Sequence, residues 1–167
     1  MTNFFVLCIL SFIKWLKVEE SGVFYGEYLH VLDEKNRIII PSRFRKNIKD
    51  EGIDKFYITR GLDECLFMFS ETDWKVYEKK FKEMSFTKKE VRRFNRLFFS
   101  GAIDVVPDKQ WRILLPDYLK EYAQLNKNIV FVGVSNRIEL WDKDKWNSFY
   151  DESKQSYEQI AEEIIDI

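Results

Sequence analysis

From residue 24 onward the chain alternates short apolar runs with polar stretches that end in proline or small capping residues. Residues 27–32 and 103–106 read as strands, and 38–40 (Ile-Ile-Ile) and 113–115 (Ile-Leu-Leu) as short β runs closed by Pro41 and Pro116. A helical pattern follows each proline, over 42–48 and 117–124, with Ser42 or Asp117 in the first turn. Strands return at 55–60 and 128–132, then at 65–69 and 137–141. Ser70 and Asp142 are placed to cap the helices after them, and Ser70-Glu-Thr-Asp73 and Thr87-Lys-Lys-Glu90 have capping-box spacing. The second box opens a helix that sets Val91, Phe94, Leu97 and Phe98 on one face. The predicted unit is β-β-α-β-β-α, made twice, an α+β fold.

The doubling is visible in the residues. Gly26-Glu-Tyr-Leu-His-Val-Leu-Asp33-Glu-Lys-Asn-Arg37-Ile-Ile-Ile-Pro41 is echoed by Gly101-Ala-Ile-Asp-Val-Val-Pro-Asp108-Lys-Gln-Trp-Arg112-Ile-Leu-Leu-Pro116, and Phe24 and Phe99 precede the two glycines at one offset. A second block aligns Gly61 with Gly133, Leu66 with Ile138, Met68 with Leu140, Phe69 with Trp141 and Trp74 with Trp146. Two pseudo-symmetric repeats, 23–95 and 96–167, are the expected organisation.

Residues 1–22 stand apart. Their longest uncharged run, 1–13, is shorter than the roughly 20 residues of a spanning helix. Lys14 and Lys17 follow that run instead of preceding it, and no Ala-x-Ala cleavage site appears, so a secretory signal is not expected. The expected reading is a leader outside the native protein, which would start at Val23 on a GUG codon. An interfacial anchor built on Trp15 and the lysines is the alternative.

Composition narrows the class. At 46% hydrophobic and 33% charged, with 6 Gly and 3 Pro, the chain is neither collagenous nor low-complexity. Cys8 and Cys65 sit far apart and near no His, a pattern that suits a reducing cytoplasm. A single His removes most His-centred catalysis. His30 and Cys65 lie in no recognisable motif, Gly133-Val-Ser-Asn136 is not a nucleophile elbow, and no metal-ligand spacing occurs. No enzyme activity, cofactor or metal is expected; a strand His and a buried thiol are the readings for that pair.

The Asp-x-x-x-Arg segments fall between the paired strands of each repeat. Asp33 can accept backbone N–H bonds two residues on, and Asn36 tolerates the left-handed backbone that closes such a turn. Lys35 and Arg37 then project from a rigid hairpin, suited to phosphate or base-edge contact. In the bland alternative Asp and Arg merely pair with each other. A second copy, Asp108 to Arg112, weighs against that alternative, because turn geometry alone does not require the arginine.

Charge is unevenly spread behind a net of −1. Residues 33–49 carry six basic groups against two acidic, and 82–96 repeat that ratio. Residues 139–167 reverse it, nine acidic against three basic. The acidic tail carries Ile160, Ile164 and Ile165, which can either dock on a neighbour or form a simple amphipathic cap.

The motifs Gly26-Glu-Tyr, Asp33-x-Lys-x-Arg37-x-x-x-Pro41, Phe99-Ser-Gly-Ala102, Asp108-x-x-x-Arg112-Ile-Leu-x-Pro116 and Gly133-Val-x-Asn136-Arg-Ile-Glu-Leu-Trp141-Asp together resemble the MraZ family over about residues 23–151. The resemblance implies a SpoVT/AbrB-like, swapped-hairpin-type β core with peripheral helices, and a ring-shaped homo-oligomer. It also implies a cytoplasmic, nucleoid-associated transcriptional regulator. Such a regulator binds double-stranded DNA at direct repeats upstream of its own division and cell-wall gene cluster. The family's usual Met-Phe-x-Gly start aligns with Val23-Phe-Tyr-Gly26. Its motif Asp-x-Lys-Gly-Arg carries DNA contact onto Arg37, with Lys35, and onto Arg112 in the second half. Asn36 replaces the glycine in the first turn. Gln110 and Trp111 replace Lys and Gly in the second, and a Trp at a left-handed position predicts a reshaped hairpin and a less secure Arg112 contact. The alternative to DNA binding is an AbrB-like protein-interaction or scaffold module.

Overall fold

A computed structural model describes residues 24–164 of the chain; the leader expectation for residues 1–22, and Ile165, lie outside them. In chain order the elements are β1 (Phe24–Val31), β2 (Arg37–Ile39), α1 (Ser42–Asp50), β3 (Phe56–Arg60), β4 (Leu66–Ser70), α2 (Glu71–Glu83) and α3 (Lys89–Ser100). They continue with β5 (Ile103–Val105), β6 (Arg112–Leu114), α4 (Asp117–Tyr122), β7 (Asn128–Ser135), β8 (Ile138–Asp142) and α5 (Lys143–Ile164). Each half is β-β-α-β-β-α, and α3 is an additional helix between them.

The halves are interleaved. A six-stranded antiparallel sheet runs β1-β7-β8-β4-β3-β5, so the first strand of each half pairs with the third strand of the other. The second strands of the two halves, β2 and β6, pair only with each other, Ile38 opposite Ile113. Ile38 and Ile113 are buried, as are Ile40 and Leu115 just before the prolines, and the main core gathers these four with Phe24, Phe44 and Phe131. Phe44 of α1 meets Phe24 and Tyr28 edge-on, with ring centroids 5.5 and 4.9 Å apart. A second aromatic cluster holds α2 and α3 to the sheet: Trp74 stacks on Tyr57 at 5.0 Å and on Phe98 at 5.5 Å.

Local signals mostly did what their chemistry allows. Ser70 caps α2 by accepting the Asp73 N–H at 3.1 Å, and Asp142 accepts the Asp144 N–H at 3.0 Å. Three expectations need correction. Thr87-Lys-Lys-Glu90 forms no capping box: Lys88 is the N-cap without a side-chain bond, and the Thr87 hydroxyl turns to Ser85. Leu97 is 63% exposed and leaves the apolar face of α3, where the expected Phe98 packs together with Phe99.

Gly61 and Gly133 are not structural counterparts either. Phe56 faces Ser70 as Ile129 faces Asp142, which shifts the alignment of β3 with β7 by one residue. Gly133 lies inside β7 opposite Gly26, whose φ is +94°, and a Cβ on Gly133 would stand 2.5 Å from the Phe24 carbonyl carbon. The missing Cβ of Gly133 lets β7 approach β1, whereas a Cβ on Gly26 would meet the Tyr28 ring of its own strand.

Candidate nucleic-acid interface

The two Asp-x-x-x-Arg turns share one hydrogen-bond plan. Asp33 Oδ1 accepts the backbone N–H groups of Lys35 at 2.9 Å and Arg37 at 2.8 Å. Its Oδ2 receives Arg37 Nε and Nη2, both at 2.8 Å. In the second turn Asp108 Oδ1 accepts from Gln110 N at 2.8 Å and Arg112 N at 3.0 Å. Its Oδ2 takes Arg112 Nε and Nη2, both at 2.7 Å. The backbone matches too, with Asn36 N donating to Asp33 O and Trp111 N to Asp108 O.

Asn36 and Trp111 both adopt the left-handed region, with φ of 56° and 63°. The expected reshaping of the second hairpin therefore does not occur. The indole's partial burial against the main core, with Lys49 Nζ 5.6 Å from its ring centroid, offsets the backbone strain. The first turn is held from the other half as well: Asn36 Nδ2 donates to Asp117 Oδ1 at 2.6 Å, and Lys120 Nζ donates to Asn36 Oδ1 at 3.1 Å. Asp117 and Lys120 were not singled out as site residues from the sequence. Their sequence separation from Asn36 hid the contact, and only the exchange of partners between halves could have signalled it.

Each Asp therefore pairs with its own Arg. Two of the five N–H donors of each guanidinium are spent on that pair, and the arginine side chains stay 33% and 28% exposed. A fixed guanidinium loses less conformational freedom on meeting a ligand than a free one. The Arg37 backbone N–H, then its guanidinium, hold the Asp33 carboxyl below the usual carboxylate range. The Arg112 guanidinium, then its backbone N–H, bring Asp108 down to about 2. Both turns are charged and closed at neutral pH.

Strand alternation completes the surface. With Ile38 and Ile113 turned inward, Arg37, Ile39, Arg112 and Leu114 share the opposite face of the β2–β6 ribbon, where Ile39 is 40% and Leu114 59% exposed. On α1 the cations Arg43, Lys46 and Lys49 are exposed, Lys49 near the Trp111 ring, and Lys35 is exposed on the first turn. Asp33, Asn36 and Asp108 act as turn formers.

His30 and Cys65 each sit in surroundings of their own. The imidazole packs edge-on to Phe131 at 5.7 Å, and burial, then nearby Arg45, lowers its pKa. The Cys65 thiol donates to Leu62 O at 3.0 Å, and burial pushes its pKa well up. Among the described residues no cluster of His, Cys, Asp and Glu could hold a metal ion, and no helix is long and apolar enough to cross a membrane.

Two interleaved α+β repeats around a shared antiparallel core, with their second strands paired across the pseudo-symmetry axis, define the two-repeat SpoVT/AbrB-like class. Residues 23–97 and 98–167 each match the family model described as MraZ protein, antitoxin-like. The chain belongs to the MraZ family, a regulator-type family and not an enzymatic one.

Proposed function

We propose that the chain is a sequence-specific transcriptional regulator that binds double-stranded DNA through its two Asp-x-x-x-Arg turns. The observation that carries this reading is the repeated buttress: two aspartates present two arginines in the same way on one face of one ribbon. With Nε and one Nη2 proton held by Asp, Nη1 and the other Nη2 proton of each guanidinium are left to grip a phosphate or a guanine edge. Arg37 and Lys35 form the principal contact and Arg112 the second. The repeats, 23–95 and 96–167, act as paired reading units without a cofactor.

Single hairpins give modest affinity, so the native form is a ring-shaped homo-oligomer whose turns engage successive direct repeats at once. Those repeats lie upstream of the protein's own gene in the division and cell-wall cluster. The protein works in the cytoplasm, at the nucleoid.

The test is a mobility-shift titration of the full chain on DNA from upstream of its gene, at two salt concentrations, beside scrambled DNA. Specific binding that weakens with salt, and that Arg37→Ala reduces by about 1–3 kcal/mol per engaged hairpin, is the expected result. Equal binding to scrambled DNA, or affinity untouched by Arg37→Ala, would favour a protein-interaction scaffold instead.

A further inference from the structure

The β2–β6 ribbon sets an apolar side chain beside each of its two arginines. Arg37 stands opposite Leu114 and Ile39 opposite Arg112, all four on the outward face, so that cation and apolar group alternate at the corners. Neither pair is joined by main-chain hydrogen bonds, because the arginine backbones are used within their own turns. Arg37 N donates to Asp33 Oδ1, and Arg37 O accepts the Asp33 N–H. Arg112 N donates to Asp108 Oδ1, and Arg112 O accepts the Asp108 N–H. Pairs of this kind are the close ones of an antiparallel ladder, with Cα atoms about 4.5 Å apart. Each arginine is thus flanked at short range by an apolar residue from the other half.

Ile39 and Leu114 are left open to solvent, while their strand neighbours Ile38 and Ile113 are buried. A ligand that covers this face must offer acceptors to the free guanidinium protons and an apolar group beside them. The phosphate backbone of DNA offers acceptors alone. A protein surface over the two apolar side chains would also desolvate the two Asp–Arg ion pairs, which only excellent geometry repays. The floor of the DNA major groove combines both requirements: guanine O6 and N7 accept, and the thymine C5-methyl is apolar. That groove admits a two-stranded ribbon, and the minor groove displays no methyl group.

We propose that Ile39 and Leu114 are specificity residues of this interface, each packing on the C5-methyl of a thymine in the major groove. Bases on one strand follow each other at about 3.4 Å. The close cross-strand pairs therefore place each methyl within about two base steps of the guanine gripped by the facing arginine, Arg37 for Leu114 and Arg112 for Ile39. The inference rests on the DNA-binding reading above and names what the apolar half of that face recognises.

The experiment titrates the full chain on duplex DNA from upstream of its gene, made either with thymine or with uracil, which lacks only the methyl. The wild-type chain should bind the uracil duplex about threefold to fivefold more weakly for each methyl contacted. Single uracil placements should locate the effect within about two steps of particular guanines. Those are the guanines whose 7-deaza analogue, without N7, weakens the wild type but not Arg37→Ala or Arg112→Ala. Ile39→Ala/Leu114→Ala should bind the thymine duplex more weakly and lose the difference between thymine and uracil. Equal wild-type affinity for the two duplexes would overturn the proposal, and that comparison needs no variant to fold. A difference that survives in Ile39→Ala/Leu114→Ala would also overturn it and trace the effect to DNA shape. If Arg37→Ala weakens binding while thymine and uracil bind alike, the hairpin reading stands and this one falls. Absence of any specific binding overturns both.

Discussion

The main-chain carbonyl of Asn36 accepts the N–H of Leu115, and that of Trp111 accepts the N–H of Ile40, at 2.9 and 2.8 Å. Each left-handed turn residue thus satisfies the buried residue that precedes the proline of the other half. The positive φ is what aims the carbonyl across the ribbon. It is a joint between repeats as well as a turn within one.

Trp111 supplies that geometry at a steric cost which its packing offsets. Trp111→Ala keeps the cost and loses the packing, whereas Trp111→Gly removes both. The glycine variant should therefore be more stable than the alanine variant by about 1 kcal/mol in urea unfolding, the reverse of their order at an ordinary position. Equal midpoints would show that the backbone there is not strained.

The buttressing aspartates predict an acid limit for the turns. A carboxyl whose folded pKa lies below its unfolded value stabilises the fold fully above the unfolded value, near 3.8, and that contribution fades as pH falls through the folded one. The Asp108 carboxyl, followed by NMR, should titrate at about 2, and that of Asp33 below 3.8. Ordinary titration of both would mean that the arginines are free in solution.

Close approach of β1 to β7 depends on the absence of a Cβ at Gly133. The obstacle to Gly133→Ala is the Phe24 and Tyr25 main chain, not a movable side chain. The substitution should cost about 1–3 kcal/mol in thermal or urea unfolding. An unchanged midpoint would mean that the strands can separate freely.

Trp74 ties α2 to the sheet and to α3 through its stacks on Tyr57 and Phe98. Trp74→Ala should cost about 3–5 kcal/mol, and Trp74→Phe much less. Chemical unfolding of the pair distinguishes loss of aromatic packing from loss of the indole alone.

Much of this architecture can be read from the residues, because it rests on local chemistry. Proline after Ile40 and Leu115 ends a strand, Ser70 caps a helix, and Asp33 and Asp108 fold their own turns. The echo of Asp33–Pro41 in Asp108–Pro116 exposes the pseudo-symmetry. What escaped were effects of partners distant along the chain. Gly61 and Gly133 align by letter, but one closes a turn and the other faces Gly26 across two strands. Leu97 satisfies the apolar period as Phe98 does, yet the Trp74 cluster takes Phe98 with Phe99 and leaves Leu97 out. The backbone of Trp111 alone predicts a reshaped hairpin, but the core residues and Lys49 around the indole lie far along the chain.

The exchange of strands between halves also sets an order of events at the ribosome. Residues 24–31 emerge early, but their pairing partner, residues 128–135, is among the later segments made. Until then β1 has no strand beside it and β4 lacks β8, while β3 and β2 wait only for β5 and β6. The nascent first half therefore holds open edges and an uncovered apolar face that only the second half can close. A chain terminated near residue 100 would be left with those edges, able to pair with other incomplete chains but not to finish its own sheet.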